Sequence, residues 1–329
     1  MAEMFEHLVG NENIKTILQR LVADSRVPNS MLFAGPEGIG KRQFAIGVAK
    51  AIVCQTKDAC GSCPACMRAG AFFLPTSDKK EDWERVFLSE HPDVGVIVPF
   101  KRNLLVGSIR ELEREASFRP YEASARLFII DDAHKMNDAA SNALLKTLEE
   151  PASTTHLILI TSSPDSLLQT ILSRCQVFRF EPIAKDLIRN ALLKTEKFDA
   201  DDDADLAASV SRGSLGRALE IDPGKYRLLR RSMLDTVSIA AGHGGRERLF
   251  ALSEELTGPN NKDDYDESLS VLQDVIHDAW LAANGADPVD FRNADIANEI
   301  RNLGENIPAT RFAAWMKEIE LLRENLIVN

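Results

Sequence analysis

The segment Gly35-Pro36-Glu37-Gly38-Ile39-Gly40-Lys41-Arg42 has residue types and spacing suited to phosphate chemistry. It follows an apolar run and precedes a helical pattern. In that context glycines let successive N–H groups turn toward a phosphate, a helix N-terminus adds positive potential, and Lys41 reaches the terminal phosphates. ATP or ADP is the ligand class such a loop accepts. Arg42 stands where a Ser or Thr hydroxyl ordinarily holds Mg²⁺, so phosphate binding is expected to survive while magnesium positioning suffers. Asp131, at the end of the run LFII, is placed as the metal-holding acid, with Asp132 beside it. Two acids at a strand end also suit a solvated turn.

The second cluster is Cys54-x5-Cys60-x2-Cys63-x2-Cys66, with Gly61, Ser62, Pro64 and Ala65 supplying tight turns. Four converging thiolates suit tetrahedral Zn²⁺, and a site filled by protein ligands is structural rather than catalytic. Weaker signals stand elsewhere. Ser173-Arg174-Cys175 can offer a guanidinium to a phosphate across a subunit boundary. Gly213-Ser-Leu-Gly-Arg217-Ala218 can start a helix whose Arg faces a nucleotide, or it can simply be a helix cap, the reading these residues favour by themselves.

The 329 residues that must position these groups exceed what one hydrophobic core organises, so two or three domains are expected. Hydrophobic content of 44% with 27% charged residues is that of a soluble globular chain. A net charge of −11 argues against a broad basic surface for nucleic acid, leaving any DNA contact local or borrowed. There is no membrane-spanning run, and the opening MAEMFEHLVG resembles no targeting signal, so the cytoplasm is the expected location. In a reducing compartment, four clustered cysteines read as metal ligands before disulfides.

Between residue 12 and about 181 the pattern alternates between strand and helix. Strands are expected at 30–35, 93–98, 125–130, 156–162 and 176–180, rich enough in Val, Ile, Leu and Phe for a parallel sheet covered on both faces. Helices are expected near 41–53, 106–117, 138–149 and 165–172. Residues 71–90 fit neither period and read as a surface insertion. A short helical unit follows Glu181-Pro182 and runs to Asp222, interrupted by an acidic loop from Asp199 to Asp205. Beyond it the pattern is helical, with turns at Gly258-Pro259 and Asp287-Pro288. The expected fold is thus an α/β P-loop core at 1–181, a small helical unit at 182–222 and an all-α C-terminal domain at 223–329.

Phe5-x-x-Leu-Val-Gly10, the P-loop, the four cysteines, His91-Pro-Asp93, Asn142-Ala-Leu-Leu-Lys-Thr-Leu-Glu-Glu-Pro151 and Ser173-Arg174-Cys175 together resemble the delta-prime subunits of the bacterial DNA polymerase III clamp loader. The resemblance is strong over 5–182, moderate to about 220, and thereafter mainly one of length and period. It implies an AAA+ core, a helical lid and a helical collar. The implied partners are gamma/tau and delta subunits in a hetero-pentameric ring, with the sliding clamp and primed DNA met through the complex. Arg174 would be the arginine finger for ATP held by a neighbour, and the four cysteines the zinc module.

Ring ATPases usually carry Glu where Asp132 stands, and motor subunits place the lid Arg directly after Gly-Ser-Leu, where this chain has Gly216. With Arg42, these departures imply a stator with little or no hydrolysis of its own. An active gamma/tau-like motor and a repair or restart ATPase without a clamp partner are the alternatives. The segment 71–90 is longer than the family's connection, and the chain stops at Asn329 within what resembles a final helix, so an incomplete collar is expected.

Overall fold

Strands rich in β-branched and aromatic residues, each followed by a helix, leave both faces of a sheet to be covered, and that is the arrangement found. The computed structural model describes residues 2–56, 59–198, 200–242 and 265–328. The turn expected at Gly258-Pro259 and the first residue of the expected acidic loop, Asp199, lie outside them. The chain forms two compact units, Met1–Leu187 with Ser214–Gly216, and Ile188–Gly213 with Arg217–Asn329.

In the first unit, helix α1 (Glu12–Ala23) precedes strand β1 (Ser30–Ala34), and α2 (Lys41–Val53) leads to α3 (Pro64–Ala69). Strands β2 (Phe87–Leu88) and β3 (Val94–Ile97) then precede α4 (Val106–Ala116), β4 (Arg126–Ile130) and α5 (Asp138–Glu149). The unit continues with β5 (Thr155–Thr161), α6 (Gln169–Leu172) and β6 (Gln176–Arg179). The sheet order is β2-β3-β4-β5-β1-β6, parallel except for the antiparallel pairing of β2 with β3. Met31 and Phe33 point to one core with Phe44 and Val48 of α2, whereas Leu32 and Ala34 point to the other with Leu112 and Leu144. Burial on both faces explains why these strands read as continuous apolar runs. Asn137 caps α5 by accepting from the Ala140 N–H at 2.9 Å, and Ala140, Leu144 and Leu148 bury one face of that helix.

Three expectations need correction. The stretch 71–90 is not wholly a surface insertion: β2 extends the sheet, Val86 and Phe87 are buried, and Phe72 bridges Ser89. Trp83 packs on Phe87 at 5.9 Å between ring centroids and donates to the Ser77 carbonyl at 2.8 Å. A two-residue strand is too short to show a period, which is why the pattern hid it. Nor is 199–205 a loop where it is described. Asp201, Asp202 and Asp203 form the first turn of α8 (Asp201–Val210), where carboxylates meet the positive end of the helix dipole. The helix expected near 165–172 is a 3-10 turn, Pro164–Ser166, followed by α6.

Asp93 of His91-Pro-Asp93 is fully buried and accepts the N–H groups of Tyr121, Glu122 and Ala123 at 2.7, 2.8 and 2.9 Å. Arg126, also fully buried, places its Nε 3.6 Å from Asp93 and donates to the Glu115 carboxylate at 3.0 Å. Deleting one partner strands the other charge in the core, so Asp93→Ala is expected to lower unfolding free energy by about 3–5 kcal/mol. Urea denaturation checks this; a loss below about 1 kcal/mol would remove Asp93 as the anchor.

Between the two cores' last strand and α8 runs α7 (Lys185–Leu192), and beyond α8 come α9 (Leu215–Glu220) and α10 (Pro223–Ala240). The C-terminal helices α11 (Tyr265–Ala283), α12 (Ala297–Asn306) and α13 (Ala309–Val328) complete the described chain. In the second unit Leu206 and Val210 share a core with Tyr226, Met233, Val275, Phe291 and Phe312.

Candidate functional site

The P-loop curls between β1 and α2 under tight steric control. A Cβ on Gly35 would lie 2.4 Å from the Phe180 carbonyl oxygen, so only glycine fits. Gly38 and Gly40 adopt φ of 71° and 95°, and Gly40 precedes the first residue of α2. Lys41 is buried, and its ammonium donates to the loop's own carbonyls at Gly35 (2.7 Å) and Pro36 (2.5 Å). Burial pulls its pKa down against the opposing pull of Asp131, Glu37 and Asp132.

Arg42 extends its guanidinium to 3.5 Å from the Asp131 carboxylate, where a P-loop protein would hold its metal. Burial raises the Asp131 pKa, and Arg42 draws it back toward ionisation. Asp132 is engaged by Lys135 at 2.7 Å. On the loop's other side the Gly216 N–H donates to the Gly38 carbonyl at 2.9 Å, and a Cβ at 216 would stand 3.1 Å from that oxygen. Lys41, the loop and Asp131 thus have protein partners. Sequence reasoning had no signal for the Gly216 contact, since it joins positions far apart in the chain. Arg217, weighed above as a nucleotide-facing residue, places its guanidinium 3.8 Å from Asp274.

Cys54 ends α2, Cys63 precedes the first turn of α3, and Cys66 lies within α3. Their sulfurs and that of Cys60 all fall within 4.8 Å of one another, with Cys54 and Cys60 at 3.7 Å. A tetrahedral ion with sulfurs at about 2.3 Å has edges of about 3.8 Å, so the four thiols fit one zinc-sized ion. Gly61 turns the chain at φ 70° to bring Cys60 and Cys63 together. The Cys63 N–H donates to the Cys60 sulfur at 3.4 Å, and such bonds lower the Cys60 pKa to about 6, whereas burial pushes Cys66 up. Arg68, on the same helix as Cys66, pairs with Glu122 at 2.6 Å, tying the module to the loop that Asp93 anchors.

Arg174 follows α6 with its side chain one-third exposed. It donates to the Thr170 carbonyl at 2.8 Å and pairs with Glu149 at 2.7 Å. Glu149 belongs to the Asn142–Pro151 string, so two motifs far apart in sequence meet at one ion pair. Cys175 beside it is half-buried, and burial raises its thiol to about 12, which leaves it unreactive.

A P-loop opening a helix in a parallel, doubly covered sheet, followed by helical elements, defines a P-loop ATPase fold of the AAA+ class. The model of the DNA polymerase III, delta subunit, family matches residues 10–184, and the chain belongs to that family. It is 27% identical over 320 residues to the DNA polymerase III subunit delta' of Escherichia coli K12, covering 94% of this chain and 87% of that one. It is 31% identical over 226 residues to the DNA polymerase III subunit tau of Bacillus subtilis 168, covering 67% of this chain. The aligned part spans only 37% of that tau subunit. Among solved structures, the gamma subunit-related protein of Thermotoga maritima aligns over 93% of this chain and 98% of its own, with 18% identity and a TM-score of 0.41. No described helix is long and apolar enough to cross a membrane.

Proposed function

We propose that this chain is a delta-prime-type stator of a DNA polymerase III clamp loader. It gives Arg174 to ATP held by a neighbouring gamma/tau subunit, in a cytoplasmic ring that also contains delta and loads a sliding clamp onto primed DNA. Residues 1–181 serve as the AAA+ core, 182–222 as the lid and 223–329 as the collar. Cys54, Cys60, Cys63 and Cys66 hold one structural zinc, which supplies cross-linking and no chemistry. The observation that carries this reading is the Arg42–Asp131 pair: a guanidinium standing where a motor needs a magnesium ion. A fixed cation there neutralises the acid that would hold the metal and excludes the metal by charge.

The same pair makes a testable statement about nucleotide. The isolated chain should show no magnesium-stimulated ATP hydrolysis. Arg42→Thr, by restoring the hydroxyl and freeing Asp131, should tighten magnesium-dependent ATP binding by about tenfold or more, read by fluorescent-nucleotide titration. Brisk turnover by the unaltered chain, abolished by Lys41→Ala, would establish instead the gamma/tau-like motor, a reading favoured by the 31% identity to a tau subunit. Co-purification with gamma/tau and delta subunits tests the partners, and its failure would favour a DNA-repair or replication-restart ATPase without a clamp partner.

A further inference from the structure

We infer that Asp274 is a positioning residue that holds both ends of the Gly213–Gly216 turn, by drawing the arginines on either side of it onto one buried carboxylate. Asp274 lies on α11 and is fully buried. Arg212, immediately before the turn, donates to its Oδ1 from Nε at 3.0 Å and from Nη2 at 2.6 Å. Arg217, immediately after the turn, places Nη2 at 3.8 Å from Oδ2, and Arg292 donates to Oδ1 at 2.8 Å.

Three guanidiniums around a single acid repel one another unless that acid is charged and in place. Removing it therefore leaves a cluster of like charges in a desolvated setting. Arg212 also adopts φ 57°, a left-handed conformation that costs a non-glycine residue energy and persists only where other contacts enforce it.

The acid is itself held from behind. One turn along α11, Asp278 is fully buried and accepts the N–H groups of Arg292 and Asn293 at 3.0 and 2.8 Å, together with the Asn293 amide at 2.8 Å. Asn293 in turn accepts from the Tyr226 hydroxyl at 3.0 Å and from Arg230 at 3.1 Å, and Arg230 forks onto Asp295 with two 2.7 Å bonds. Asp274 is thus the forward end of a continuous polar network seated on α10 and α11. Its rigidity passes to the turn through Arg212 and Arg217. The glycines give that turn backbone freedom, and the flanking ion pairs take it away.

This inference does not depend on the clamp-loader reading. Hydrogen exchange of the full chain, followed by mass spectrometry, tests it without any partner or nucleotide. Asp274→Asn keeps the shape and removes the charge; it should speed exchange across 205–220 by about tenfold or more while leaving 225–240 unchanged. Arg212→Lys keeps the charge but lacks the fork and should give an intermediate acceleration over the same peptides. Unchanged exchange at 205–220 would overturn the inference, and so would an equal acceleration at 225–240, which would make Asp274 ordinary core support. Should Asp274→Asn fail to fold, Arg212→Ala decides, because its side chain is partly exposed: faster exchange confined to 205–220 supports the inference, and no change overturns it.

Discussion

Arg174→Ala, placed in a reconstituted complex with gamma/tau and delta, is expected to lower clamp- and DNA-stimulated ATP hydrolysis by a factor of about 10³ to 10⁵. The effect is large because a guanidinium placed against a γ-phosphate stabilises charge that develops only in the transition state. The variant itself should fold. Arg174 is one-third exposed and its Glu149 partner half exposed, and ion pairs at such positions contribute about 0–1 kcal/mol. A loss of hydrolysis with unchanged melting temperature and assembly therefore reports chemistry rather than damage.

Glu149 supplies the control. In the free chain it holds the guanidinium at 2.7 Å, so Glu149→Gln weakens that hold without removing the arginine. This variant should retain most of the activity. Undiminished hydrolysis with Arg174→Ala would remove the trans-acting role outright, while leaving family membership untouched.

Metal removal should be the other severe perturbation. One zinc per chain is expected, lost in Cys66→Ser, with residues 59–70 losing their order. Binding of a structural zinc is folding free energy for its module, with apparent values of about 10–16 kcal/mol in small zinc-binding peptides. Exchange protection over residues 59–70 should collapse on chelation, while α5 and β5 remain protected by their own core.

The pH dependence has a definite sign. Zinc takes thiolates; Cys60 sits near pKa 6 and is already ionised at neutral pH, whereas burial keeps the proton on Cys66 until a metal displaces it. Loading should thus release protons at neutral pH, so affinity should already fall as pH drops through neutrality and fall more steeply below about 6, where Cys60 takes up its proton. Elemental analysis of freshly reduced protein and a chelator competition series measure both; substoichiometric zinc would defeat the assignment.

Much of this molecule is legible in its residues because the relevant information is local. β1, β3, β4 and β5 are apolar runs whose composition marks burial on both faces, whereas β6, at the sheet's edge, buries only Phe178. The P-loop is a contiguous string whose glycines and lysine have one geometric purpose between a strand and a helix. Four cysteines at spacings of six, three and three can converge because Gly61 and Pro64 turn the chain within the same stretch. β2 escaped notice since two residues show no period, and the acidic residues of α8 resembled a solvated loop until the helix dipole gave them a place.

Sequence alone determined the class of core, the phosphate loop and the thiol cluster, for in each case neighbouring residues set the geometry. Tertiary structure decided the state of those parts. That Arg42 faces Asp131, that Glu149 meets Arg174 and that Asp274 gathers three arginines all depend on residues brought together across the chain. Electrostatic interactions fall off with distance and rise with burial, and neither quantity exists until the chain has folded.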